Sequence, residues 1–124
     1  MKLVDTSSWI EALRGGGDPT VKSRVETLLL GGQGAWCDIV RIELWNGARG
    51  VAECRRLETF DDGLILLPTT DAVWAKARLL AQRGRAKGLT VPSADLLVAA
   101  CAWEHAVEIE HEDKHLAALA ELID

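Results

Sequence analysis

Apolar residues fall along the chain in short bursts, separated by polar and glycine-bearing stretches. The first burst, Met1 to Val4, reads as a short buried strand that stops at Asp5. Hydroxyl residues Thr6, Ser7 and Ser8 follow, then the helically spaced Trp9, Ile10 and Leu13. A strand that ends on an acid and turns straight into a helix presents that carboxylate at the strand's C-terminal edge. This first helix is expected from roughly Ser7 to Arg14, ended by Gly15-Gly16-Gly17. Asp18 caps a second helix with Pro19 at its first position. Its apolar face is Val21, Val25, Leu28 and Leu29, and Gly31-Gly32 ends it.

Ala35-Trp36-Cys37 reads as the second strand, and Asp38 as the cap of a third helix, Ile39 to about Asn46. A fourth helix is expected from about Val51 to Phe60, with Cys54 and Leu57 facing in. Asp61-Asp62-Gly63 then turns into the strand Leu64 to Leu67. Thr70 caps a long helix, Asp71 to about Gln82, whose apolar positions are Val73, Trp74, Ala77, Leu80 and Ala81. A basic loop, Arg83 to Val91, leads to Ser93 as the cap of the most apolar helix, Ala94 to about Glu104. A last strand, Ala106 to about Ile109, and a short helix, Lys114 to Leu122, follow. Strands alternating with helices predict an α/β fold: a three-layer α/β/α sandwich around a parallel sheet of four to five strands. The expectation is one domain over residues 1–124.

Composition narrows the function classes. The chain has 124 residues, 48% hydrophobic and 27% charged, as in an ordinary globular protein. No apolar run reaches the about 18 residues of a membrane span, and the N-terminal stretch is a strand rather than a secretory signal. Three cysteines, Cys37, Cys54 and Cys101, without paired spacing, imply reduced thiols and a cytoplasmic location. The net charge of −5 argues against a general nucleic-acid coat. Charge is unevenly spread, however. Lys76, Arg78, Arg83, Arg85 and Lys87 form a basic run, whereas Glu104, Glu108, Glu110, Glu112 and Asp113 form an acidic one. The basic run is either a solvated helix face or a grip on a polyanion.

Two further acids interrupt apolar surroundings. Glu43 lies in Ile39-Val-Arg-Ile-Glu-Leu-Trp45, and Asp95 opens the helix Ala94-Asp-Leu-Leu-Val-Ala-Ala-Cys-Ala-Trp103. Carboxylates at such positions are paired, liganded or pointed into a cleft. Each has an ordinary alternative. Asp5 is a helix cap, Glu43 a solvent-facing partner of Arg41 or Arg49, Asp95 a first-turn acid favoured by the helix dipole, and Asp113 a turn residue. Asp113 follows the last strand as Asp5 follows the first, and connection rules bring those two strands side by side at the sheet's centre. Four carboxylates meeting there repel unless a cation joins them, and all-oxygen donors suit Mg²⁺ or Mn²⁺.

The stretches "LVDTSSWIEAL", "IVRIELWNGAR", "PSADLLVAACAWEHAV" and "HEDKHLAAL" together resemble the four motif blocks of the PIN-domain nucleases. They are most similar to those of the VapC toxins of type II toxin–antitoxin pairs, over essentially the whole length and in order. The resemblance implies that Asp5, Glu43, Asp95 and Asp113 bind Mg²⁺ (or Mn²⁺) and serve RNA cleavage, with Thr6 as the supporting hydroxyl. It implies two protein partners: a small antitoxin, whose C-terminal segment would lie along the groove and block the acids, and a second toxin copy in a homodimer. The fourth block departs from the family's usual Thr-x-Asp-x-Asp-Phe, reading His111, Glu112, Asp113, Lys114, His115 and Leu116. Asp113 aligns with the metal-facing acid, Glu112 is the fallback, and the fifth edge strand is expected to be short or missing.

His111 and His115 stand at helical i, i+4 spacing, but without the HExxH arrangement or a nearby thiol they read as surface or supporting histidines. The five tryptophans read as core or partner contacts rather than base-stacking platforms. The expected activity is that of a metal-dependent endoribonuclease. Its acids would hold one or two ions for activation of a water, no side chain acts as nucleophile, and the basic run holds the RNA backbone. The alternatives are a nuclease of the same fold acting on other nucleic acid, a noncatalytic binding module and a phosphoacceptor domain with an acidic Mg²⁺ pocket. A phosphoacceptor needs an Asp closing the third strand, where this chain has Pro68-Thr69-Thr70.

Overall fold

The computed structural model describes residues 1–124. Four strands, β1 (Lys2–Val4), β2 (Gly34–Cys37), β3 (Ile65–Leu67) and β4 (Glu108–Glu110), make one parallel sheet in the order β3-β2-β1-β4. Seven helices connect and follow them: α1 (Thr6–Leu13), α2 (Pro19–Leu30), α3 (Asp38–Gly47), α4 (Gly50–Gly63), α5 (Asp71–Ala86), α6 (Ser93–Glu104) and α7 (Lys114–Ala120). Right-handed crossovers carry α1 to α4 over one face as the chain steps from β1 out to β3. The return from β3 to β4 takes α5 and α6 over the other. α1 packs on α2, and α5 on α6. The expected three-layer α/β/α arrangement is present, with four strands. β1 and β4 are neighbours as anticipated, but β4 lies at the edge rather than the centre. No helix is long and apolar enough to cross a membrane.

A cluster of 22 buried hydrophobic residues fills the layers. Trp9 and Trp36 are its largest members, with ring centroids 6.2 Å apart, and Phe60 stacks at 5.0 Å from Trp9. On the other face, Val98 to Ala102 of α6 are all buried, and their small side chains let α5 approach closely. Trp74 does not join the core. It sits one residue, about 100°, off the Val73–Ala77–Leu80 stripe and is 55% exposed.

Several boundaries move, each for a tertiary reason. α5 runs on to Ala86, so Arg83 and Arg85 are helical rather than in a loop. Its last turn is held because the Arg83 guanidinium donates to the Leu122 carbonyl and to Asp124, while Gly84 packs on Leu89 and Leu122. α4 absorbs Asp61-Asp62-Gly63, with Asp61 paired to Arg41 at 2.8 Å. Asp38 does not cap α3 but accepts from the Thr69 amide, tying the start of α3 to the β3–α5 loop. Ser93 is the first residue of α6, after Pro92. β4 starts late because α6 is closed by a left-handed Ala106 (φ 54°), with the Val107 amide donating back to the Ala102 carbonyl.

Trp9→Ala removes the centre of the aromatic cluster and is expected to cost about 3–5 kcal/mol of unfolding free energy in a urea titration. Trp74→Ala should stay within about 0.5 kcal/mol of wild type. Equal effects of the two would contradict the layering described.

Candidate active site

Pairing of β1 with β4 sets Val4 beside Glu110, and the Asp5 amide extends the ladder by donating to the Glu110 carbonyl at 2.9 Å. The strand order reverses at this point: β2 and β3 lie to one side of β1, β4 to the other. The crevice beyond the C-terminal ends of such strands is where open α/β sheets take ligands. Asp5 opens onto it at only 4% exposure. Its Oδ2 accepts from the Ser7 amide at 3.0 Å and the Ser7 hydroxyl at 2.6 Å, so it caps α1. The Ser7 hydroxyl in turn accepts from the Glu112 amide at 3.0 Å, joining this corner to the β4–α7 turn.

Asp95 enters from the first turn of α6 and is 8% exposed. Burial, first, and then the charges of Asp113, Asp5 and Glu43 push its carboxyl up from 3.8 to about 6, while His115 opposes them. Three other acids and one imidazole therefore act electrostatically on this one carboxylate. Asp113 is the cap of α7, its Oδ1 accepting from the His115 and Leu116 amides at 2.7 and 3.3 Å. His115 projects from the same turn with Nδ1 3.5 Å from both Asp95 Oδ2 and Asp113 Oδ1. Glu43 approaches from the exposed face of α3 and accepts from the Thr6 hydroxyl at 2.9 Å. Neither Arg41 nor Arg49 pairs with it: Arg41 holds Asp61, and the Arg49 amide donates to Glu53.

The neighbouring acids contrast with these. Glu110 is 6% exposed; burial raises its carboxyl, but hydrogen bonds from Arg24 and Ser8 outweigh this and hold it below the usual range. Arg24 also pairs with Glu112, whereas Asp113 is the acid after β4 whose charge acts on Asp95. Donor atoms of Asp95, Asp113 and His115 all lie within 4.8 Å of one another. Ligands about 2.1 Å from one divalent ion span up to about 4.2 Å, so this set fits such an ion after a small contraction. Beside the Thr6–Glu43 bond lies an apolar-floored cavity of about 290 Å³, lined by Ile10, Leu13, Leu44 and Leu57 with Arg14 and Arg56.

A PIN domain family model matches residues 2–122. The chain belongs to the PIN-domain family. Among related proteins, it is 32% identical to Ribonuclease VapC21 of Mycobacterium tuberculosis over 82% of this chain and 76% of that one. It is also 32% identical to Ribonuclease VapC11 of the same species, over 98% and 93%. Among solved structures it resembles VapBC-5 of Mycobacterium tuberculosis, a member of the VapBC family of toxin–antitoxin systems, with TM-score 0.69. That match is 22% identical and covers 95% of this chain and 89% of the other.

In this PIN fold the four acids singled out by sequence lie around one crevice, and Thr6 adjoins Glu43. The basic run does not converge in the same way. Lys76 pairs with Glu104 and lies 5.2 Å from the Trp103 ring; Arg83 sits 5.4 Å from that ring and is bound to the C-terminus. Arg78, Arg85 and Lys87 are exposed. Sequence reasoning missed Ser7 and the Arg24–Glu110 pair as parts of this region, and left His115 open between a surface and a supporting histidine. The run of three hydroxyls after Asp5 and the His at the fourth-block helix start were the available signals.

Asp95 binds its proton more tightly folded than unfolded, so its contribution to stability is full below about pH 4 and lost as pH rises through about 6. Asp95→Asn removes that loss. In EDTA the variant should melt higher than wild type at about pH 7.5, by at most about 3 kcal/mol, and the gain should vanish near pH 4. A difference that stays constant across that range would remove the case for crowding at Asp95.

Proposed function

We propose that this chain is a divalent-metal-dependent endoribonuclease acting as the toxin of a toxin–antitoxin pair, in one domain over residues 1–124. The observation that carries the reading is the convergence of Asp5, Glu43 and Asp113 on the buried Asp95 at the strand-order switch point. Its VapC relatives are named ribonucleases, which supports RNA as substrate. Mg²⁺ or Mn²⁺ would be held by Asp5, Asp95, Asp113 and Glu43. The chemistry such an ion supplies is acidification of the attacking water and neutralisation of the phosphate charge.

The protein's own residues do the positioning. The Ser7 amide and hydroxyl fix Asp5, and the His115 and Leu116 amides fix Asp113, so both carboxylates face the crevice without reorganising. Thr6 aims Glu43 inward. Arg24 neutralises Glu110 and Glu112, so their charge does not add to the repulsion at Asp95. Of the basic run, exposed Arg78, Arg85 and Lys87 are free to hold an RNA backbone, while Lys76 and Arg83 serve the α5–α6 contact. The apolar cavity beside Thr6 and Glu43 suits an antitoxin segment that covers the acids, in line with the toxin–antitoxin assembly of VapBC-5. Exposed Trp74 offers apolar surface to a homodimer. Three free cysteines suit the cytoplasm.

Asp5→Asn keeps the cap geometry and removes one charge. Cleavage of single-stranded RNA by the purified, antitoxin-free protein should fall about 100-fold or more, while melting in EDTA moves up rather than down. Wild-type cleavage at full rate in excess EDTA would overturn the metal assignment, and cleavage of DNA alone would overturn the substrate. Arg85→Glu with Lys87→Glu should weaken RNA binding and lower the salt slope by about 2, read by fluorescence anisotropy across a salt series. An unchanged slope would return both residues to a solvated face.

A further inference from the structure

We infer that His115 is a nitrogen ligand of this site and makes it a Mn²⁺-preferring centre rather than a Mg²⁺ one, resting on the carboxylate crevice proposed above. The side chain is not a bystander on α7. Its Nδ1 lies at equal distance, 3.5 Å, from Asp95 Oδ2 and Asp113 Oδ1, and the donor atoms of all three side chains fall within 4.8 Å of one another.

The local backbone holds that placement. Asp113 accepts the His115 amide at 2.7 Å, so the carboxylate and the imidazole are locked two residues apart at one helix start. The separation exceeds a normal hydrogen bond to either carboxylate, so the ring faces the same space as the two acids without closing on either. His111 is excluded from that space, because its Nδ1 accepts from the Asp113 amide at 3.1 Å. Glu112 is excluded by Arg24. Among the side chains after β4, Asp113 and His115 are therefore the ones offered to a cation with Asp95.

Donor chemistry then separates the ions. Mg²⁺ favours oxygen donors and holds its waters tightly, whereas one neutral imidazole among carboxylates favours first-row transition ions over Mg²⁺, and Mn²⁺ is the one of these that still suits a mainly oxygen set. The rest of the set stays oxygen-based, so the ion is hard enough to serve phosphate chemistry.

The test uses the full-length, antitoxin-free protein loaded with Mn²⁺ alone at neutral pH. Pulsed electron paramagnetic resonance should show ¹⁴N modulation from a directly bound imidazole. That modulation should disappear in His115→Gln and persist in His111→Gln. Competition titrations should give Mn²⁺ an affinity about 100-fold above Mg²⁺ in wild type, falling about tenfold in that ratio in His115→Asp, which restores an all-oxygen set. Bound Mn²⁺ without ¹⁴N modulation, or a ratio unmoved by His115→Asp, overturns the inference while leaving the carboxylate site standing. Absence of any Mn²⁺ binding overturns both.

Discussion

The parallel pairing of β1 with β4 is the contact on which everything at the crevice depends. It brings the ends of the first and last strands flush, and the Asp5 amide extends it by one more bond to the Glu110 carbonyl. Two acid-bearing corners from opposite ends of the sequence are thereby set against one another. With β2 on the other side of β1, the strand order reverses there, and the crevice lies beyond the strand ends. Asp95, on the first turn of α6, borders that space from the remaining side.

Charge in this region is sorted by partner. Glu110 and Glu112 lie close to the crevice in sequence, but Arg24 of α2 takes both. The acids that remain have amides, hydroxyls and one imidazole as partners, none of them a permanent cation. Amide donors orient a carboxylate without cancelling its charge, so the charges of Asp113, Asp5 and Glu43 all still act on Asp95. Burial, first, and then those charges raise the proton affinity of Asp95. A structure under pressure only for stability would place an Arg24 equivalent here too.

The strand-to-helix corner at Asp5 was legible because sequence and site coincide there: a burst of buried residues, an acid and a run of hydroxyls. Asp95 was legible because an acid in an otherwise apolar helix violates burial. Element order and sheet class followed from alternation alone. What escaped the sequence depends on partners far away in the chain. α5 extends because Arg83 meets Leu122 and Asp124, and Asp38, already the first residue of α3, accepts from the distant Thr69 amide instead of capping. The choice between Asp113 and Glu112 rested on Arg24, some ninety residues earlier, which no local pattern around the fourth block contains. His115 stayed open between a surface and a supporting histidine because helical spacing says which face it shares, not what stands opposite.

The Ser7–Glu112 hydrogen bond spans 105 residues and the Ser8–Glu110 bond 102. A chain growing from its N-terminus therefore makes Asp5 roughly a hundred residues before the corner that completes its surroundings. Until β4 has been synthesised and has emerged, β1 lacks one neighbour and the carboxylates have nothing to converge upon. The crevice is therefore absent from the nascent polypeptide until β4 and the turn after it have emerged.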